Sequence, residues 1–167
     1  MTLYSIENYS NQDSLNLQNH LSNIINNNTI FFCVGTDKFI FDCIGPLTGS
    51  ILKYNIPDLN VFGTLKNPIT ALNLNDSYNY VINNFPNNNI LVIDAALSDS
   101  KLNKTILYNE PASPAFGSIG KIGTHKIISY TNKKSDFNPF NNNNRLYDVS
   151  KISNFIASSI INTIKGE

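Results

Sequence analysis

The sequence predicts an α/β fold: a three-layer α/β/α domain around a mostly parallel sheet. Two observations carry this. Short apolar runs rich in β-branched and aromatic residues recur along the chain, and most of them end at a glycine or an aspartate. Between them lie segments whose apolar residues repeat at three- and four-residue spacing. Strands alternating with helices in this way build βαβ units, which bury a parallel sheet between layers of helices. At 167 residues the chain is read as a single domain, 1–167, long enough to bury a full core.

The elements follow in order. Met1 to Gln12 is polar, has no apolar signal-peptide core and is assigned no strand. Leu17, Leu21, Ile24 and Ile25 have helical spacing, so an N-terminal helix is predicted over about 10–26, ended by Asn26-Asn27-Asn28. Thr29 to Val34 is a buried strand stopped by Gly35. Gly45-Pro46 opens a second helix, proline being at home in a first turn, with Leu47, Ile51 and Tyr54 as its apolar face. Leu59 to Phe62 is a second strand, stopped by Gly63. A third helix runs from Asn73 to Phe85 and closes before Pro86, burying Leu74, Tyr78, Val81, Ile82 and Phe85. Asn89 to Asp94 is the clearest buried strand, Lys104–Tyr108 and His125–Tyr130 are two more, and Thr131–Asn144 is a polar loop. The C-terminal helix covers about 146–164, with Val149, Ile152, Ile156, Ile160 and Ile164 as its stripe and Gly166 as its stop.

Composition excludes more than it names. Hydrophobic residues are 41% and charged residues 14%; twelve Lys plus Arg balance twelve Asp plus Glu. No basic field or stripe points to nucleic acid. No apolar run is long enough to span a membrane, and a cytoplasmic location is the expectation. Two cysteines and two histidines make neither a disulfide framework nor a zinc finger. Asparagine, about one residue in six, is spread too evenly to mark loops alone. There is no phosphate loop, no G-x-G-x-x-G after a strand and no G-x-S-x-G elbow.

Sites in open α/β sheets form beyond the carboxyl ends of the strands. There the sequence places Gly35, Thr36, Asp37 and Asp42 after the first strand, Gly63 and Thr64 after the second, and Asp94 after the third. Asp42 and Asp94 are the candidate catalytic pair. Asp42 precedes a helix start, which favours an anion, while the exit of an apolar strand raises the pKa of Asp94. Two carboxylates with opposite tendencies can divide acid and base roles. The ordinary reading of each is a helix cap or a turn residue. Asp37 and Thr64 are supporting candidates whose ordinary roles are local turns. Asp42, Asp94 and His125 form a chemically possible metal set, although a histidine at a strand edge is commonly just surface. Cys43 beside Asp42 is a poor nucleophile, since the carboxylate opposes a thiolate, and Cys33 reads as core.

The segments Gly35-Thr36-Asp37, Asp42-Cys43-Ile44-Gly45-Pro46-Leu47, Phe62-Gly63-Thr64-Leu65 with Asn67-Pro68 and Ala71-Leu72-Asn73-Leu74, and Val92-Ile93-Asp94-Ala95-Ala96-Leu97 resemble, in that order, the motif blocks of the YyaC-type sporulation proteins. Gly120 to Ser129 fits a further block more loosely. That family is similar to the spore germination protease and, more distantly, to the hydrogenase maturation proteases. The resemblance implies a phosphorylase/hydrolase-like, hydrogenase-maturation-protease-like fold. It also implies peptide-bond hydrolysis by an aspartate pair, carried onto Asp42 and Asp94. In the hydrogenase-maturation branch the same positions bind nickel with a histidine. Three departures stand out: Lys38-Phe39-Ile40-Phe41 replaces a polar, Gly-containing loop, Leu97-Ser98 replaces Leu-Gly, and Pro111–Gly120 lacks a Gly-rich pattern.

The sequence expectation is therefore a sporulation-associated peptidase acting on a protein or peptide made during spore formation. It would need no cofactor, with Asp42 and Asp94 catalytic and Asp37, Thr64, Gly35 and Gly63 supporting. One alternative is a non-catalytic binding protein on the same fold, working through Phe39-Ile40-Phe41. The other is a nickel- or zinc-binding protein using Asp42, Asp94 and His125.

Overall fold

The computed structural model describes residues 1–114, 120–135, 138 and 145–166. Its elements are β1 (Thr2–Ile6), α1 (Asn11–Leu21), β2 (Thr29–Cys33), a 3-10 turn (Ile40–Asp42), α2 (Ile44–Asn55), β3 (Val61–Phe62), α3 (Leu74–Asn84), β4 (Asn89–Leu97), β5 (Lys104–Tyr108), β6 (His125–Asn132) and α4 (Leu146–Lys165). The six strands form one sheet in the order β1-β5-β6-β4-β2-β3. The pairs β3·β2, β2·β4 and β4·β6 are parallel, whereas β5 runs antiparallel to both β6 and β1. The sheet is thus mostly parallel, with helices on both faces.

Period-two alternation along β2 and β4 assigns the two faces. Phe31, Cys33, Leu91 and Ile93 point into a core shared with α1, α2 and α4 through Leu17, Leu21, Ile44, Leu52, Val149, Ile156 and Ile160. Ile30, Phe32, Ile90 and Val92 point the other way, against Leu74 and Val81 of α3. Two buried sides explain why β2 and β4 read as unbroken apolar runs.

Several boundaries and faces differ from expectation. β1 is a strand that the sequence did not announce: it is an edge strand, and only Ile6 is fully buried. Helix α1 opens on a reciprocal capping box between Ser10 and Asp13 but stops at Leu21. Ile24 and Ile25 lie in the turn that follows, held by N–H bonds to the Leu21 carbonyl, and Ile24 still packs in the core. Tyr54 is 87% exposed; α2 buries instead Ile44, Gly45, Thr48, Gly49 and Leu52. Ile82 and Ile164 also face solvent in part. β6 runs on to Asn132, past the expected start of the loop at Thr131. The rest of that loop, apart from 133–135 and Asn138, lies outside the described residues, as do 115–119 of the Pro111–Gly120 segment. Among the described residues no helix is long and apolar enough to cross a membrane.

One buried polar chain ties the antiparallel end together. The Tyr9 hydroxyl bonds to Thr105 Oγ1 at 2.9 Å, which bonds to Ser129 Oγ at 2.8 Å. Thr105 and Ser129 are almost fully buried. Thr105→Val removes the middle link and strands both neighbours. The expected cost is about 1–3 kcal/mol in a urea titration, at unchanged slope.

Candidate active site

The strand order places a topological switch point between β2 and β4. From β2 the chain crosses through α2 to β3 on one side, then returns through α3 to β4 on the other. Such a point opens a crevice at the carboxyl ends of its two strands. Asp94 sits there. β2 pairs with β4 only as far as Cys33 and Ile93, while β4 continues to Leu97, so Asp94 is the first residue of β4 with no β2 partner beside it. The alternation puts its side chain on the α3 face of the sheet.

Asp42 is delivered to the same edge by tight backbone contacts. Beyond Val34 the Gly35 N–H donates to the Ile69 carbonyl at 2.8 Å, and the Thr36 N–H donates to the Asp42 carbonyl at 3.0 Å. The chain has therefore folded back on itself within seven residues. Gly35 has φ +135, and a Cβ there would run into the Asp42 carbonyl, so only glycine fits. Gly45 is the second such contact: a Cβ would strike the Val34 carbonyl and lie 2.9 Å from that of Ile93. The start of α2 is thus pressed onto the ends of β2 and β4, three residues after Asp42 and one residue before Asp94. The 3-10 turn that carries Asp42 itself packs on β4.

The electrostatics follow from this placement. Contrary to the expectation that the helix start favours its anion, Asp42 is pushed up to about 6 by burial, partly offset by the Thr36 N–H. Both carboxyl groups therefore shift in the same direction and differ only in extent. Asp94 is pushed up to about 8, first by burial and then by the charge of Asp42; its bond from the Ala95 N–H, 2.8 Å to Oδ1, opposes both. The two carboxyl groups therefore interact. Around pH 7 the arrangement favours one ionised carboxylate, Asp42, beside one protonated acid, Asp94.

The other candidates are placed differently. Thr64 closes its own turn: its Oγ1 accepts the Asn67 N–H at 3.2 Å, and the two residues also exchange backbone bonds. Gly63, at φ +87, passes so close to the Cys33 carbonyl that it too excludes a side chain. Asp37 is exposed, and its charge acts on Cys43. The Cys43 thiol is pushed up by burial, by Asp37 and by Asp42, and the buried Cys33 thiol is pushed up by desolvation. Neither is a poised nucleophile. His125 pairs with Leu91, three residues before Asp94, and shares the face of Leu91 and Ile93, opposite to that of Asp94. The structure does not bring it to the aspartate pair. Among the described residues, no three of His, Cys, Asp and Glu are gathered as a metal site.

An open groove of about 1100 Å³ begins at Thr36, Asp37 and Lys38 and runs past β3 to α3, over Phe62, Ile69, Leu72 and Tyr80. Leu72 is 96% exposed and Tyr80 54% exposed. Neither Asp42 nor Asp94 lines it; it approaches the pair through the 36–38 loop. Sequence reading missed this groove, because its floor combines the short edge strand β3 with a loop and one face of α3. Phe39 and Phe41 stack at 5.6 Å and are half-buried, with Ile40 between them 40% exposed.

Comparison with known proteins agrees with this architecture. The chain is similar to "Uncharacterized protein YyaC" of Bacillus subtilis (strain 168), with 28% identity over 144 residues, 83% of this chain and 70% of that protein. Its fold resembles the crystal structure of a [NiFe] hydrogenase maturation protease, HycI, from Thermococcus kodakarensis KOD1. That match has a TM-score of 0.53 at 14% identity and covers 86% of this chain and 99% of the other. A three-layer α/β domain with a hydrogenase-maturation-protease-like fold is therefore established. Residues 4–159 match the family model described as "Protein of unknown function (DUF1256)", and the chain belongs to that family.

Proposed function

We propose that this protein is a peptidase that hydrolyses peptide bonds with the Asp42–Asp94 pair, acting on a protein made during spore formation. The observation that carries the reading is the unequal upward tuning of two interacting, buried carboxyl groups at a switch-point crevice. The germination-protease-like sequence blocks and the protease fold of the structural neighbour support it.

The chemistry closes without a further group. Ionised Asp42 takes a proton from water as the hydroxide oxygen bonds to the scissile carbonyl carbon, and Asp94 gives its proton to the carbonyl oxygen. As the tetrahedral species collapses, the C–N bond breaks and the amine leaves with the proton held by Asp42. The diol proton returns to Asp94, which restores both groups. Asp37, Thr64, Gly35 and Gly63 shape the loops around the pair, and the neighbouring groove receives the chain of the substrate.

Activity is expected to peak near pH 7. It falls below about 6 as Asp42 takes up a proton, and above about 8 as Asp94 loses its own. The test is incubation with a mixture of unstructured peptides at pH 5 to 9, read by mass spectrometry, for the parent and for Asp42→Asn. Intact peptides at every pH, or equal cleavage by the variant, would overturn the reading. With no third ligand gathered beside the pair among the described residues, added nickel or zinc is expected to move Tm by less than about 1 °C.

A second reading, a binding protein on the same fold, is favoured by the partly exposed Phe39-Ile40-Phe41 segment. Under it, Asp94→Asn keeps full partner binding, and making Phe39 and Phe41 polar abolishes it.

A further inference from the structure

On the far flank of Asp94 from the groove, the sheet carries a polar network that the proposed hydrolysis does not use. Asp94, Ile128 and Ile106 are neighbours in one row across β4, β6 and β5. Tyr108 lies two residues along from Ile106 and Tyr130 two residues along from Ile128, on the same face. Their hydroxyls meet at 2.8 Å. Lys101, in the loop between β4 and β5, donates from Nζ to the Tyr108 hydroxyl at 3.0 Å and stands 5.3 and 5.4 Å from the Tyr108 and Tyr130 ring centroids. Lys126 Nζ lies 4.8 Å from the Tyr108 ring and is paired with Glu110 at 3.0 Å.

The donors here outnumber the acceptors. Lys101 has no carboxylate partner among the described residues, whereas Lys126 has one. Whichever phenol donates to the other, one hydroxyl hydrogen is left without an acceptor inside the network. The Tyr130 phenol is pushed up to about 12, chiefly by burial, so it remains a donor across the working pH range. Lys101 and Tyr130 are only half-buried, so a ligand can reach them. An uncompensated ammonium beside a spare phenol hydrogen, over apolar Ile106 and Ile128, matches the needs of a carboxylate.

We infer that Lys101 and the Tyr108–Tyr130 hydroxyl pair form a carboxylate-binding subsite flanking Asp94, which anchors an anionic residue of the peptide substrate. The inference rests on the reading of the aspartate pair as a peptidase site. Neighbouring strands are about 4.8 Å apart, so the hydroxyl pair lies one to two strand spacings, about 5–10 Å, from Asp94. An extended peptide covers that span in two or three residues. The anchored carboxylate then belongs to a residue two or three positions from the cleaved bond, either as an acidic side chain or as the free C-terminus.

The test is an NMR titration of the full chain at pH 7 with three probes: acetyl-Ala-Ala with a free carboxylate, acetyl-Glu-Ala-amide, and neutral acetyl-Ala-Ala-amide. At least one carboxylate probe is expected to bind ten-fold or more tighter than the neutral one; the winning arm identifies a C-terminus or a side chain. Lys101→Met should bring it down to the neutral level, Lys101→Arg should retain it, and Lys165→Met, on the last turn of α4, should match the parent. Equal affinity for all three probes, or unchanged carboxylate binding in Lys101→Met with Tm preserved, overturns the subsite. The readout is binding, so it fails or succeeds independently of whether any peptide is cleaved.

Discussion

Asp94→Asn is expected to abolish hydrolysis and, at pH 8, to melt higher than the parent. The first effect follows from removing the proposed acid: a loss of 10³-fold or more in kcat is ordinary for such a group. The second follows from linkage. In the unfolded chain this carboxyl titrates near 3.8, whereas in the folded chain burial and the charge of Asp42 push it up to about 8. Between those values the folded state holds more protons than the unfolded one. The contribution of Asp94 to stability is therefore full below about pH 4 and drains away as pH rises toward 8, with Asp42 contributing in the same direction up to about 6. Asparagine keeps an oxygen for the Ala95 N–H and carries no charge. The full shift corresponds to about 5–6 kcal/mol, of which relaxation of the buried site takes up part. The variant should match the parent at pH 4 and exceed it by at least about 2 kcal/mol at pH 8, roughly 4–8 °C or more in Tm. Melting curves from pH 4 to 9 decide the matter. Parallel pH profiles for parent and variant would mean that Asp94 is not strained in the folded chain, and the acid role would lose its basis.

Gly45→Ala carries the second large effect. A methyl at that position has nowhere to go, because the atoms it meets are the backbone carbonyls of Val34 and Ile93 rather than movable side chains. The start of α2 must lift away from the sheet, at a cost of about 3 kcal/mol, or roughly 6–12 °C in Tm. Alanine is the better helix former, so propensity alone predicts the opposite sign. The lift also carries Asp42 away from Asp94. The pH dependence of stability should flatten, since the like-charge repulsion that helps raise Asp94 is relieved. Gly120→Ala, where a Cβ meets nothing within 4 Å among the described residues, is the matched control and should be near neutral.

What could be read from the sequence depended on whether the physics was local. β2 and β4 announce themselves because both of their faces are buried, and Gly166 ends α4 in the left-handed conformation that glycine favours. Tyr54 misled because hydrophobic spacing assigns a face by greasiness. Leu47 and Ile51 of the expected face do pack on the core beside Ile44 and Leu52, but the closest approach of α2 to the strand ends is made by Gly45 and Gly49, which hydrophobic spacing does not register. β1 escaped because Thr2–Ile6 has a single fully buried residue and is a strand only by pairing with a distant partner. Asp42 and Asp94 were legible as residues that follow strands at the carboxyl edge, a rule of topology rather than composition. The Lys101–Tyr108–Tyr130 network was not, since it depends on the antiparallel register of β5 on β6, which no spacing in the sequence encodes.

That register has a temporal side. β1 pairs Ser5 with Ile106 and Ile6 with Thr105, partners about a hundred residues downstream. On a ribosome adding 5–20 residues per second, the first strand emerges roughly 5–20 s before the strand it must join exists. β5 in turn has nothing to pair with on its other side until β6 appears, a further stretch of chain later. The parallel unit from β2 to β4 can collapse during that interval, but the antiparallel end is assembled only late in synthesis. If β1 docks last, its edge of β5 is open to strands from other nascent copies for as long as the wait lasts.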